Sequence, residues 1–368
     1  MKVLVTGANG FIGKNVVAQL SVRPGFELLQ LYRGSSAEEM REALSEAEFI
    51  CHLAGVNRPE NDDEFARVNT DLTRLMCQTI RDMQRKIPII FASSVHVERN
   101  NAYGASKLAA EQVLLAYSER TGCPVHIYRL PHVIGKWCRP NYNSVVATFC
   151  HSIARDLPID ITDPDYQLNL VYIDDLIDDF ARIMAGDANG GTYHEVSPTY
   201  PISVGRLADQ IYAFRACRTE LTTERVGQGL TRALYATYIS YLPPEDFSYA
   251  LPVHADPRGV FVEMLKTKDS GQFSFFTAHP GVTRGSHYHH SKTEKFLVIK
   301  GNARYRFRHI ITGEYHEVHT SGDKPEIVET IPGWTHDISN VGDTELIVML
   351  WANEIFDRDR PDTYARAV

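Results

Sequence analysis

The stretch TGANGFIG, residues 6–13, constrains this chain more than any other part of it. Its glycines Gly7, Gly10 and Gly13 follow the apolar run Val3-Leu4-Val5 and precede Ile12, Val16, Val17 and Leu20 at helical spacing. A short apolar run of this kind suits a strand buried on both faces. The periodicity behind it predicts a helix starting near Phe11. Strand, tight glycine turn and open helix N-terminus are the parts of a dinucleotide-binding unit, in which first-turn N–H groups and the positive end of the helix dipole meet a pyrophosphate. A glycine-rich surface loop needs neither flank. Gly7, Asn9, Gly10, Phe11, Ile12 and Gly13 are therefore candidate cofactor residues.

Strands and helices go on alternating. FICHLA (49–54) reads as a strand, Asp63 to Met83 as helical, and Pro88 to Ala92 as a strand running into Ser93 and Ser94. Repeated alternation implies an α/β doubly wound parallel sheet with its ligands at the strands' carboxyl ends. The second strand, Glu27 to Tyr32, ends in Arg33-Gly34-Ser35. An acidic residue there would accept hydrogen bonds from an adenosine ribose, whereas a guanidinium suits a 2′-phosphate. Arg33 thus favours NADPH over NADH.

The chemistry concentrates in Tyr103-Gly-Ala-Ser-Lys107. Tyrosine and lysine four apart share a helix face. A free phenol has a pKa near ~10, and a neighbouring ammonium would lower it. With the glycine turn, the strand end at Ser93 and Ser94, and HLAG (52–55), this pattern resembles the extended, nucleotide-sugar branch of the short-chain dehydrogenase/reductase superfamily. The resemblance implies Tyr103, Lys107 and Ser94 as catalytic residues. It places Leu53, Ala54, Gly55, Ser93, Tyr103 and Lys107 against the cofactor and makes Asn69 a brace of the site. Ser94 stands only nine residues before Tyr103, a shorter separation than is usual in the branch. Sugar dehydratases of the branch carry an acid pair after this strand; Ser94-Val95-His96 has no carboxylate, so reduction of a ketone remains. RLPHVIG (129–135) and RPNYNSVVATF (139–149) resemble the substrate side, with His132, Asn141, Asn143 and Ser144 as candidate contacts.

Charge excludes one class of partner. The 38 basic and 46 acidic residues give a net charge of −8 without a basic run, which argues against nucleic acid. Six cysteines without a C-x-x-C pair fit a reducing compartment. No apolar run nears the ~20 residues that cross a bilayer, and the chain enters a strand at once without a secretory signal. A soluble cytoplasmic enzyme with no membrane insertion is expected.

Ser203 to Tyr241 reads as helical, and the paired prolines after Leu242 end that pattern. We place a reductase domain with its substrate lobe at 1–242 and an all-β domain at 243–368. In the second, short strands such as Gln272–Ala278, Glu294–Lys300 and Ala303–His309 alternate with glycine turns. The segment 281–301 reads G-x5-H-x-H-x4-E-x6-G and resembles the first motif of the cupin barrels; His336 and Asn340 fit an incomplete second motif. The resemblance implies His287, His289, Glu294 and His336 as ligands of a first-row metal. Zn²⁺ is the expected occupant, although the same set suits Mn, Fe or Ni. His290 is expected to point outward. Sugar 3,5-epimerases of the same barrel, which bind no metal, resemble the stretches around Arg258, Arg284 and Lys300; these become candidate substrate residues.

A short-chain reductase followed by a cupin over the whole length is similar to the capsular polysaccharide synthesis CapF family. That resemblance implies C3 epimerisation and NADPH-dependent C4 reduction of UDP-2-acetamido-2,6-dideoxy-4-hexulose to the L-talose product. The exposed edges of the second domain's strands lead us to expect a homodimer. Two other readings stay open: a reductase whose cupin serves only dimerisation, and a non-catalytic NADPH-sensing scaffold.

Overall fold

Val3, Leu4 and Val5 are wholly buried, as a central parallel strand covered on both faces requires. The computed structural model describes residues 1–59, 61, 63–187, 191–252, 254–256, 259–261, 265–267, 271–354 and 359–368. In it β1 (Lys2–Thr6), β2 (Glu27–Leu31), β3 (Phe49–His52), β4 (Ile89–Ser94), β5 (Val125–Leu130) and β6 (Tyr193–His194) form one parallel sheet, in the order β2-β1-β3-β4-β5-β6. Because β2 and β3 flank β1 on opposite sides, the chain changes winding direction there. The crevice for a ligand opens at the carboxyl ends of β1 and β3.

The sheet is accompanied by α1 (Phe11–Leu20), α2 (Ala37–Glu46), α3 (Leu72–Asp82) and α4 (Ala102–Thr121). A capping box starts α2, with Ser36 and Glu39 satisfying each other's backbone N–H. Asn101 caps α4, and Gly122 ends it in the left-handed conformation at φ 70°. A π-helical turn, Ala66–Asp71, precedes α3. Further on come α5 (Val145–Ile153), α6 (Ile173–Met184), α7 (Val204–Glu220) and α8 (Gly229–Ile239). The continuous helical reading of 203–241 is thus corrected to two helices. Leu221 turns left-handed at φ 57°, and Thr222 and Thr223 pair in parallel with Lys266 and Thr267.

The C-terminal strands are β7 (Ser248–Ala250), β8 (Gln272–Ala278), β9 (Thr283–Tyr288), β10 (Glu294–Lys300), β11 (Asn302–His309), β12 (Tyr315–Ser321), β13 (Glu326–Glu329), β14 (Trp334–Asn340), β15 (Leu346–Ala352) and β16 (Tyr364–Ala365). They form two five-stranded antiparallel sheets, β7-β13-β10-β15-β8 and β12-β11-β14-β9-β16. Among the described residues the pairing does not close them into one barrel, which qualifies the barrel expected from the sequence. Their inner faces meet through aromatic contacts: Phe296 stands 5.8 Å from Tyr305, and Phe247 meets Phe307 and Trp334 edge-on at 5.5 and 5.1 Å.

Two compact units result. One holds residues 1–133, 137–144 and 168–202, and the other 134–136, 145–167 and 203–368, so α5, α7 and α8 group with the antiparallel sheets. In the second unit Glu329 of β13 pairs with Lys295 of β10 and Arg218 of α7; Glu329 and Lys295 are nearly inaccessible to solvent and Arg218 is largely covered. No helix among the described residues is long and apolar enough to cross a membrane.

Candidate active site and metal centre

The glycine turn is built as tightly as its sequence implied. Gly7 has φ 68°, and a Cβ there would lie 2.8 Å from the backbone of Ala54, so β1 and the loop after β3 touch only because the side chain is missing. A Cβ on Gly13 would sit 2.2 Å from the Gly7 carbonyl oxygen. Gly10 is the N-cap of α1 and supplies no side-chain hydrogen bond, and no acidic residue stands in the first turn. The helix thus presents uncapped N–H groups beside Asn9, Phe11 and Ile12, the arrangement that receives an anion. Arg33, beyond β2, is 83% exposed and lies 3.6 Å from Glu64.

Polar contacts join this turn to the next loops. Thr6 Oγ1 accepts the N–H groups of Leu53 and Ala54 at 3.2 Å and meets His52 Nδ1 at 2.8 Å. The π-helical turn aims Asn69 at the neighbouring loop and helix. Its Oδ1 accepts Val56 N–H at 2.8 Å, and its Nδ2 donates to Ser106 Oγ at 2.9 Å. Gly55 passes so close that a Cβ would stand 3.0 Å from Asn69 Oδ1 and 3.2 Å from Lys107 Nζ.

Tyr103 and Lys107 lie on α4 above this brace. Lys107 is buried; its Nζ donates to the Ala92 carbonyl at 2.9 Å and sits 4.8 Å from the Phe91 ring centre. Burial lowers the ammonium to about 8, against the pull of Glu111. Burial raises the Tyr103 phenol, and a hydrogen bond with Ser94 only partly offsets that. The lowering of the phenol expected from Lys107 is therefore corrected: in the protein alone, burial raises it.

Successive residues of β4 face opposite ways, and that separates the two serines. Ser94 turns to Tyr103, while Ser93 donates to Glu111 at 2.5 Å, where Arg129 also binds at 2.7 Å. The Ser93 hydroxyl is thus committed to the interior. Two residues outside the sequence candidates border the site. His96 faces Tyr103 edge-on at 6.1 Å, and Phe65 lies 5.7 Å from it. His132 meets Ser144 Oγ at 3.1 Å, and burial together with His96 lowers its pKa. Asn141, at φ 54°, and Asn143 are exposed.

In the second unit His287, His289, Glu294 and His336 bring one donor atom each to within 4.8 Å of the others. A bulge does the aiming. Ser286 takes φ 60° and the pairing of β9 with β14 shifts between Gly285 and His287, which sets His287 opposite His336. Glu294 Oε2 lies 3.1 Å from His289 Nε2 and 3.5 Å from His336 Nε2. His336 is buried and neither ring nitrogen makes a well-formed hydrogen bond, its Nε2 having only the long approach to Glu294, so a ligated ion would give that nitrogen the partner it lacks. Burial, with His336 and His289, holds His287 near 3, in the neutral form a metal binds. Three imidazoles and a carboxylate around one point fit a first-row cation.

The remaining candidates do not converge here. Lys300 is exposed six residues along β10 from Glu294, about 20 Å away at strand rise. Arg284 spreads over Phe276, 5.0 Å from the ring centre. Arg258 lies outside the described residues. His290, expected to face outward, is 4% exposed and packs 4.9 Å from Tyr364. The sequence reading missed Asp362, whose carboxylate holds the loop between His289 and Glu294; no motif marks it.

Comparison with known proteins covers both parts of the chain. Residues 3–197 match the NAD dependent epimerase/dehydratase family and 254–364 the polysaccharide biosynthesis C-terminal domain. The UDP-2-acetamido-2,6-beta-L-arabino-hexul-4-ose reductase of Pseudomonas aeruginosa is 59% identical over 368 residues, covering 100% of this chain and 99% of the relative. A crystal structure of the capsular polysaccharide assembling protein CapF from Staphylococcus aureus is 42% identical, covers 100% of both chains and superposes with a TM-score of 0.69. UDP-glucuronic acid 4-epimerase from Bacillus cereus, solved with NAD, shares the fold of the first part at 18% identity, 60% coverage of this chain, 85% of that one and a TM-score of 0.52. The chain belongs to the CapF family, in which a module of the NAD dependent epimerase/dehydratase family is followed by a polysaccharide biosynthesis C-terminal domain.

Proposed function

We propose that this protein is a soluble, cytoplasmic, dimeric enzyme of polysaccharide precursor synthesis. It inverts C3 of UDP-2-acetamido-2,6-dideoxy-4-hexulose and then reduces C4 with NADPH, giving UDP-2-acetamido-2,6-dideoxy-L-talose. The observation that carries the reading is Tyr103 with Ser94 turned toward it, one helical turn from a buried Lys107, at the carboxyl ends of the strands of the sheet that carries the glycine turn. The Pseudomonas relative's name states the reduction of a UDP-linked 4-ketone and supports that half directly.

NADPH, when bound, supplies the hydride that C4 receives. Gly7 to Gly13 cradle its pyrophosphate, Leu53, Ala54 and Gly55 line the adenosine side, and the exposed Arg33 pairs with the 2′-phosphate. Lys107 holds the nicotinamide ribose. Ser94 orients the C4 carbonyl, and Tyr103 delivers its phenolic proton to O4 as the C–O bond becomes an alcohol. His132 and Ser144 position the sugar nucleotide.

Epimerisation must come first. The C4 ketone acidifies the C3 hydrogen because the carbanion delocalises onto the carbonyl oxygen, and reduction destroys that ketone. We assign the C3 step to the C-terminal domain. His287, His289, Glu294 and His336 would hold Zn²⁺, whose Lewis acidity suits an enolate oxygen.

The test is a reaction in D₂O with NADPH and the 4-keto UDP-sugar, with the deuterium located in the product. Deuterium at C3 is expected. Tyr103→Phe should slow NADPH oxidation by about 10²–10⁴-fold and leave C3 exchange intact. Reduction without any C3 exchange would leave a single-activity reductase. Exchange that survives removal of the metal would confine the ion to a structural role.

A further inference from the structure

Between His289 and Glu294 runs the loop His290-Ser291-Lys292-Thr293, and all four residues are buried. Buried backbone N–H groups must find acceptors. Three of the four find the same one: Asp362 accepts His290 N–H at 2.8 Å and those of Ser291 and Lys292 at 2.7 Å, together with Ser291 Oγ at 3.1 Å. Thr293 N–H goes to Asn353 Oδ1 at 2.9 Å. The backbone carbonyl of Asp362 also lies 2.5 Å from His289 Nδ1. A carbonyl can only accept, so Nδ1 carries a proton, which leaves Nε2, 3.1 Å from the Glu294 carboxylate, as the ring nitrogen that a cation would take.

The segment that carries Asp362 is anchored beside the ligands. It pairs with β9 through His287↔Ala365 and Tyr288↔Tyr364, and Lys292 Nζ donates to Thr363 Oγ1 at 2.8 Å.

We propose that Asp362 is a positioning residue of the metal centre, and that residues 359–366 form a strap fixing the loop between two of its ligands and the tautomer of one. The inference rests on the metal reading given above. A carboxylate suits the task because it is acceptor-only and can take three N–H groups at once; an amide in its place would turn donors toward donors. Outer-shell groups of this kind typically change metal affinity by 10–100-fold.

The experiment titrates Zn²⁺ into the full-length protein against a chromophoric chelator, for the wild type and for Asp362→Asn, with circular dichroism and NADPH binding as controls. Wild type should take up about one ion per chain, and the variant should bind it roughly 10–100-fold more weakly with both controls unchanged. Equal affinity in a folded variant overturns the proposal. A wild type that takes up no Zn²⁺ overturns the metal reading itself, and this inference with it. Should Asp362→Asn fail to fold, hydrogen exchange of the wild type decides: amides of 290–292 and 359–366 should slow together on adding Zn²⁺. A strap indifferent to the ion overturns the role.

Discussion

Lys107 is a buried cation whose function conflicts with its stability. Its pKa is about 8, against 10.5 for the free side chain. Below pH 8 both folded and unfolded chains carry the proton, and the folded one bears the full cost of burying it, about 3 kcal/mol at 1.36 kcal/mol per unit. Between pH 8 and 10.5 the unfolded chain holds more protons than the folded chain, so this penalty fades as pH rises. Lys107→Met, similar in length and able to rest on Phe91, should therefore abolish reduction yet raise the unfolding free energy by about 1–3 kcal/mol at pH 7. The gain should shrink toward pH 10.5. Denaturant unfolding of both proteins across pH 7–10 checks it, and a constant difference would refute the argument. The residues read from sequence belong to short fixed spacings, Tyr103 and Lys107 on one helix and His287, His289 and Glu294 within one motif. Asp362 could not be read that way, because its partners are backbone N–H groups some seventy positions away. The burial of His290 was hidden for a related reason: the segment covering it comes from the far end of the chain.

The glycine turn, as an element, is defined by what cannot be added to it. A methyl on Gly13 would collide with the Gly7 carbonyl inside van der Waals contact, and a backbone atom cannot step aside as a side-chain tip can. Gly13→Ala should cost about 1–3 kcal/mol of stability and eliminate measurable NADPH binding; thermal unfolding and a fluorescence titration with NADPH check this. Wild-type affinity in Gly13→Ala would contradict the placement of the pyrophosphate. At this scale β1 to β4 of the parallel sheet and β8, β10 and β11 of the C-terminal strands were legible from their apolar pattern. The break between α7 and α8 was not, since Leu221 carries a left-handed conformation without glycine, and its neighbours' partners, Lys266 and Thr267, are distant in sequence.

For the whole molecule, the feature least visible in sequence is the ion cluster behind the β10 strand. Glu329 pairs with both Lys295 and Arg218, and Arg218 also lies over Tyr249 at 4.4 Å. This knot ties α7 to the antiparallel sheet within the second unit. No local pattern foretells it, because charged residues on a strand and a helix ordinarily read as solvated surface. Glu329→Gln would leave two buried cations against no anion, and should cost about 3–5 kcal/mol. Chemical denaturation would show it as a lower midpoint, with the metal centre lost in the same transition as α7 and α8. An unchanged midpoint would mean the cluster is hydrated in solution.

The open start of α1 has a practical corollary. A helix whose opening residue is glycine leaves its electropositive tip to whatever negative solute is present. Assays run in phosphate or sulfate should thus report an inflated apparent KM for NADPH, relieved on moving to an amine buffer of equal ionic strength.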